Sequence, residues 1–160
     1  MSLHDELIAE AKSRLLSETP TQAALRRAVS DAYYALFHAI AAEIARPYPP
    51  AVQAGAKRML DHIKAKRMAQ QIKGQRTLPA LSQTAACPAL LLPVATNFCE
   101  LQEARHVADY DERIPHSRNE VVALIERAED SIQRLADAQT QCPDDLYAFV
   151  LSLLFDRWAK

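Results

Sequence analysis

The chain has 160 residues, enough for one domain with a buried core, and its 19 lysines and arginines nearly balance its 20 acids. A formal net charge of −1 excludes an overall field that would attract nucleic acid or an anionic membrane. Only two glycines occur, which argues against an all-β fold, because tight hairpin turns depend on glycine, asparagine or aspartate.

Several further classes of protein are disfavoured by the residues present. No apolar run approaches the ~20 residues that span a bilayer, and the N-terminus lacks the apolar core of a signal peptide. The three cysteines are widely spaced and fit neither a disulfide framework nor a zinc knuckle. A glycine-rich phosphate loop and an H-E-x-x-H motif are absent, and Glu-x-x-His occurs once where a di-iron bundle needs two copies. We therefore expect a cytoplasmic protein with no membrane contact, no metal and no cofactor.

The first half of the chain predicts three helices, because apolar residues recur there at steps of three and four. The first helix covers about 2–16. The second has Thr19 as its N-cap ahead of Pro20 and ends before Pro47. The third is predicted as one continuous helix over about 51–73, with its basic residues outward.

An irregular loop of about 74–90 separates these helices from the rest of the chain, and its length indicates either a mobile lid or a disordered excursion. A fourth helix follows and ends near Tyr110. Ser117 opens a fifth helix through a capping box, and Pro143 opens the last, whose apolar face continues to Trp158. The whole pattern predicts an all-α fold, an up-and-down bundle of five to six helices in a single domain over residues 1–160.

Charge is unevenly distributed along the predicted third helix. Seven basic residues lie between positions 57 and 76 against one acid. The candidate nucleic-acid contacts among them are Lys57, Arg58, Lys64 and Arg67. The alternative is a solvated helix face with no ligand.

Two pairs of polar side chains stand at helical spacing on predicted helices. Tyr34 and His38 lie four residues apart on the second helix and so share a face, where the histidine either titrates near neutrality or bonds a neighbouring helix. Arg105 and Asp109 are spaced in the same way on the fourth helix and could simply pair with each other. Arg105 also falls on an apolar stripe, where a guanidinium needs a carboxylate, a tyrosine oxygen or a bound anion.

Three segments together resemble a known family. They read RAVSDAYYALFH at 27–38, LDH at 60–62 and LQEARHVADYD at 101–111. They resemble the HEPN superfamily of small helical proteins, most closely its bacterial branch that pairs an AYYA-FH helix with an R-x-x-ADY segment. The resemblance covers predicted helices two to four.

The resemblance implies a helical bundle that forms homodimers. Many HEPN proteins are metal-independent RNA endonucleases, often the toxin of a toxin–antitoxin pair with a nucleotidyltransferase-like antitoxin as partner. Their catalytic motif joins an arginine and a polar residue to a histidine several positions further on. Arg105 and His106 match its first half, but Tyr110, Asp111 and Glu112 stand where that histidine would fall.

Two functions stay open from the sequence. The first is a non-catalytic HEPN-like dimer that binds a nucleotide, an RNA or a protein partner through a polar notch of Tyr34, His38, Arg105, Asp109 and Tyr110. The second is a toxin-type RNA endonuclease in which Arg105 works with His38 or His106. The position of His38 discriminates between them: within hydrogen-bond reach of Arg105 or in a shared cleft it favours the enzyme, and buried in the core it favours binding alone.

Overall fold

The computed structural model describes residues 1–155, and this part of the chain forms seven α-helices. The all-α prediction is confirmed, although the number of helices exceeds the five to six expected. The helices are α1 (Leu3–Ser13), α2 (Gln22–Ala45), α3 (Pro50–Lys57), α4 (His62–Gln75), α5 (Leu92–Tyr110), α6 (Arg118–Gln141) and α7 (Pro143–Leu154).

Four of these helices, α1, α2, α5 and α6, form a bundle in which successive members run in opposite directions. Arg26 near the start of α2 donates hydrogen bonds to carbonyls at the end of α5, so these two helices are antiparallel. Glu43 near the end of α2 accepts a hydrogen bond from Gln139 near the end of α6, so this diagonal pair is parallel. The shorter helices flank the bundle, with α3 on α2, and α4 between α5 and α7.

Helix α2 is the centre of the core. Sixteen of its 24 residues are buried, which is more than one apolar face would need, because α1, α3, α5, α6 and α7 all contact it. Many of the buried residues are alanines, whose small side chains allow neighbouring helices to approach closely. Its buried Asp31 accepts a hydrogen bond from Arg14 at 2.7 Å, so this charge is paired.

The predicted continuous third helix is wrong, because the chain breaks between Lys57 and His62. Asp61 is the N-cap of α4, and its carboxylate accepts hydrogen bonds from the backbone N–H groups of Ile63 and Lys64 at 3.0 and 2.9 Å. An N-cap aspartate satisfies backbone donors that have no partner inside the helix, and so it stabilises a new helix start at this point. After this break, α4 packs along α5.

The structure also corrects the predicted start of the second helix and the predicted state of the loop. The N-cap of α2 is Thr21, whose hydroxyl accepts from the N–H of Ala24, rather than Thr19. The segment between α4 and α5 is folded: Leu78 is fully buried, and the N–H of Ala80 donates to the hydroxyl of Ser152 on α7. Trp158 lies outside the described residues. No helix within residues 1–155 has the length and apolarity required to cross a membrane.

Candidate functional site

Aromatic and basic side chains from three helices meet where α2, α4 and α5 come together. We call this group the Arg105 cluster, and its members are Tyr33, Tyr34 and Phe37 from α2, His62 from α4 and Arg105 from α5. The Arg105 guanidinium lies 5.3 Å from the ring centroid of Tyr33 and 5.8 Å from that of Tyr34. Both distances are within the range of a cation–π interaction.

Arg105 is held at the edge of the cluster but is not fully paired. Its side chain is 16% exposed, and Nη1 donates to Oδ2 of Asp109, one turn further along α5, at a long 3.3 Å. The other oxygen of Asp109 accepts a shorter hydrogen bond of 2.7 Å from the hydroxyl of Ser30 on α2. The Nε atom of Arg105 is buried without a hydrogen-bond partner. Within residues 1–155 the guanidinium forms no other hydrogen bond, so its Nη2 group keeps unused capacity to donate hydrogen bonds to an anion.

His62 begins α4 and is fixed from several directions. Its Nδ1 atom lies 2.6 Å from the hydroxyl of fully buried Tyr33, and its ring stacks on Phe37 with centroids 4.0 Å apart. The backbone carbonyl of His62 accepts a hydrogen bond of 2.8 Å from Nε2 of Gln102 on α5. Contacts to both neighbouring helices thus set the orientation of this imidazole.

The environment of the cluster favours uncharged side chains beside Arg105. Burial raises the pKa of Tyr33 well above its usual value, with the positive charge of Arg105 acting in the opposite direction. Burial also lowers the pKa of His62, and the Arg105 charge lowers it further. At neutral pH the imidazole of His62 is therefore neutral, and Arg105 is the cation of the cluster.

The predicted site residues are brought together only in part. Tyr34 and Arg105 are in contact, and Asp109 is bonded to Arg105. His38 lies beside Tyr34, with ring centroids 6.4 Å apart, but within residues 1–155 no hydrogen bond joins it to Arg105. Burial lowers the pKa of His38, and the nearby charge of Lys57 adds to this effect.

His106 and Tyr110, predicted for the same site, lie elsewhere. Their rings contact each other with centroids 5.0 Å apart, and Tyr110 is 71% exposed. Both line an open depression near the end of α5 together with Glu112 and Arg113. Within residues 1–155 no hydrogen bond or ring contact joins either side chain to the Arg105 cluster, since successive residues on a helix point about 100° apart.

The four predicted nucleic-acid contacts are all exposed and surround the break between α3 and α4. Lys57 ends α3 and Arg58 follows it, whereas Lys64 and Arg67 lie in the first turns of α4. His38 and His62 are electrostatic neighbours, and His38 is in turn a neighbour of Lys57. We call Lys57, Arg58, Lys64 and Arg67 the basic region. The two histidines therefore lie between the Arg105 cluster and this region.

The site residues predicted from the sequence do not include Tyr33, His62, Ser30 or Gln102, although all four stand in the segments that resemble the HEPN superfamily. Tyr33 falls on the predicted buried face of the second helix, and the partner of its hydroxyl, His62, lies 29 residues away in the sequence. The signal for His62 was present, since it follows Asp61 directly and an N-cap aspartate marks a helix start. The predicted continuous helix concealed that signal.

Among residues 1–155, no group of three or more histidine, cysteine, aspartate or glutamate side chains is arranged to hold a metal ion. Burial raises the pKa of Cys87 to about 12 and that of Cys99 to about 11, so neither thiol is activated as a nucleophile. Comparison with known proteins adds no relative: no family model matches the chain, and no curated protein or solved structure gives a match.

Proposed function

We propose that this protein binds single-stranded RNA at the Arg105 cluster, as a HEPN-like homodimer and without a bound metal. The observation that carries the proposal is the guanidinium of Arg105, which lies over two tyrosine rings with an unpaired Nε and only one long bond to Asp109. Arginine is well suited to holding a phosphate, and aromatic rings stack on unpaired bases. Half-buried Tyr34 and His38 beside it supply such rings at the surface.

The charges around the cluster indicate which way the bound RNA leaves it. The basic region lies on the side of His62 and His38, whereas Asp109, Asp111 and Glu112 lie towards the end of α5. A polyanion is attracted by the first group and repelled by the second. The RNA backbone therefore runs from Arg105 towards α3 and α4. A free nucleotide would use the same phosphate contact and a single base.

Metal-independent RNA cleavage is the second candidate, and the observation that favours it is the position of His62. Cleavage through the 2′-hydroxyl needs a proton acceptor and donor together with charge stabilisation at the phosphate. A neutral imidazole next to Arg105 can exchange a proton, and Arg105 can stabilise the charge. His38 and His106, the histidines expected from the sequence, make no hydrogen bond to Arg105.

The dimer remains a proposal from the family resemblance, and so does a nucleotidyltransferase-like partner. One apolar surface is consistent with self-association. The exposed side chains of Tyr48, Met59, Leu151 and Phe155 surround a cavity of about 320 Å³ between the end of α2 and α7. Exposed apolar groups of this size often mark a contact surface.

The test is RNA binding and RNA cleavage measured together on the purified full chain in EDTA. A short labelled oligouridylate is followed by fluorescence anisotropy, and its length is checked on a denaturing gel. We expect wild-type binding that weakens steeply with salt, and at least about tenfold weaker binding by Arg105→Gln, because a charge-assisted hydrogen bond is lost.

Arg127→Gln is the matched control, since Arg127 is an exposed arginine on α6 that pairs with Glu100 at 3.3 Å. Equal losses in the two variants, or a wild type that does not retain the RNA, would contradict the proposal. Shortening of the RNA by the wild type in EDTA would establish the second candidate instead. Melting temperatures of all three proteins verify that the fold is intact.

A further inference from the structure

His62 is held more firmly than a surface histidine requires. Tyr33 contacts its Nδ1, Phe37 covers one face of the ring, and the ring of Tyr34 meets it edge-on at 5.9 Å and 88°. Gln102 fixes its backbone carbonyl, although the Oε1 atom of Gln102 is itself buried without a partner. Within residues 1–155, Nε2 is the one ring nitrogen of His62 that has no hydrogen-bond partner. Such an arrangement orients a single nitrogen for a ligand.

The charges that face His62 come from three helices. Helix α5 contributes Arg105, helix α2 contributes His38 together with the rings of Tyr33 and Tyr34, and Asp61 precedes His62 on its own helix. Arg105 opposes a second positive charge at this position, whereas Asp61 favours one. The positive charge of Arg105 disfavours protonation of His62. A bound phosphate is negative, so it would cancel this effect.

We infer that His62 and Arg105 together bind one phosphate group, and that His62 takes up a proton as the phosphate enters. The inference rests on the proposed RNA binding and specifies how one phosphodiester is held. Arg105 donates through N–H groups that have no partner within residues 1–155, and the Nε2–H of the imidazolium donates a second charge-assisted hydrogen bond, while its Nδ1–H donates to the hydroxyl oxygen of Tyr33. The proton comes from solvent, no covalent bond changes, and the empty site returns it when the phosphate leaves.

Proton uptake on binding has a measurable consequence. Where one proton enters with the ligand, affinity increases by up to about tenfold for each unit by which the pH falls. A phosphodiester does not titrate in this range, so the dependence reports on the protein. If the RNA is cleaved as well, a protonated His62 would be the proton donor at the phosphate rather than the acceptor.

The experiment measures oligouridylate affinity by anisotropy between about pH 6 and about pH 8, at constant ionic strength, where an unperturbed histidine changes charge. We expect tighter binding at lower pH for the wild type and a largely flat profile for His62→Gln. His116→Gln is the matched control, because His116 lies before α6 and has a pKa lowered by burial but no contact with the cluster. Its profile should follow the wild type.

A second measurement does not depend on RNA. The ring signals of His62 are followed by NMR at about pH 7 while sulfate, a non-titrating anion, is added. A shift towards the imidazolium form supports the inference, and the shift should be absent in Arg105→Gln. RNA binding that is independent of pH, or a pH dependence that persists in His62→Gln, would overturn it while leaving the proposed function intact. If the RNA is not bound, the proposed function fails, and the sulfate titration alone decides on the paired site.

Discussion

The hydroxyl of Tyr33 helps to fix the position of His62. It is completely buried and forms a 2.6 Å hydrogen bond with Nδ1 of His62, which leaves Nε2 as the ring nitrogen open to a ligand. The same ring lies under the guanidinium of Arg105. One tyrosine therefore organises both polar groups of the candidate site.

Replacing Tyr33 with phenylalanine tests this role. The change removes a buried hydrogen bond and leaves Nδ1 of His62 unpaired, so we expect the free energy of unfolding to fall by about 1–2 kcal/mol. Tyr34→Phe is the control, because the hydroxyl of half-buried Tyr34 makes no hydrogen bond to a described residue, and its loss should cost less than about 0.5 kcal/mol. Urea denaturation of both variants measures the difference. Equal costs would show that the Tyr33 hydroxyl does not anchor His62.

Single residues explain why the site could be predicted only in part. Helical spacing predicts that Tyr34 and His38 share a face of α2, and that Arg105 and Asp109 share a face of α5. Tyr33 and His62 were missed because their contact joins two helices that are far apart in sequence, and periodicity carries no information on such pairs. His106 was included because it matches the polar residue of the family motif and Tyr110 because it lies near Arg105 in sequence, yet their rings contact each other and not the Arg105 cluster.

At the scale of elements, the end of α5 is held by a side chain from α2. The guanidinium of Arg26 donates to the carbonyls of Ala108, Asp111 and Ile114 at 2.9, 3.0 and 2.8 Å. These carbonyls lie at and beyond the last turn of α5 and have no partner inside the helix. Arg26 therefore caps α5 and fixes the turn that carries Asp109.

Arg26→Met should lower the free energy of unfolding by about 2–3 kcal/mol, because several carbonyls lose a charged donor at once. Arg27→Met is the control: Arg27 is the next residue on α2 and is exposed, and its replacement should change stability by less than about 0.5 kcal/mol. Chemical denaturation of the pair measures the effect. A small loss in Arg26→Met would mean that water replaces the guanidinium at these carbonyls.

Element boundaries show what sequence patterns can and cannot fix. The capping box at Ser117 was predicted and is present, since it consists of local hydrogen bonds between residues three apart. The break before His62 was missed, because basic and apolar residues continue through it at helical spacing and only Asp61 marks it. The choice between one helix and two depended on packing of α4 against α5 and α7, which is a property of the whole fold.

The arrangement of the whole bundle accounts for the environment of its histidines. His38, His62 and His116 lie on different elements, and each has its pKa lowered mainly by burial, with the charges of Lys57, Arg105 and Arg26 adding to the effect. All three are therefore neutral in the folded protein near pH 7. In the unfolded chain they return to the ordinary histidine pKa of 6.5.

This difference predicts that the domain loses stability as the pH falls. Between the folded and unfolded pKa values the unfolded chain binds more protons, so stabilisation is complete above about pH 6.5 and decreases below it. Thermal melts from about pH 7.5 to about pH 5.5 should show a falling melting temperature, with a shallower slope in the double variant His38→Gln/His62→Gln. A wild-type melting temperature that is constant over this range would contradict the predicted neutral histidines.

An anion bound at Arg105 favours a protonated His62 in the folded state. Sulfate should therefore also reduce the slope of melting temperature against pH, and only in proteins that retain His62.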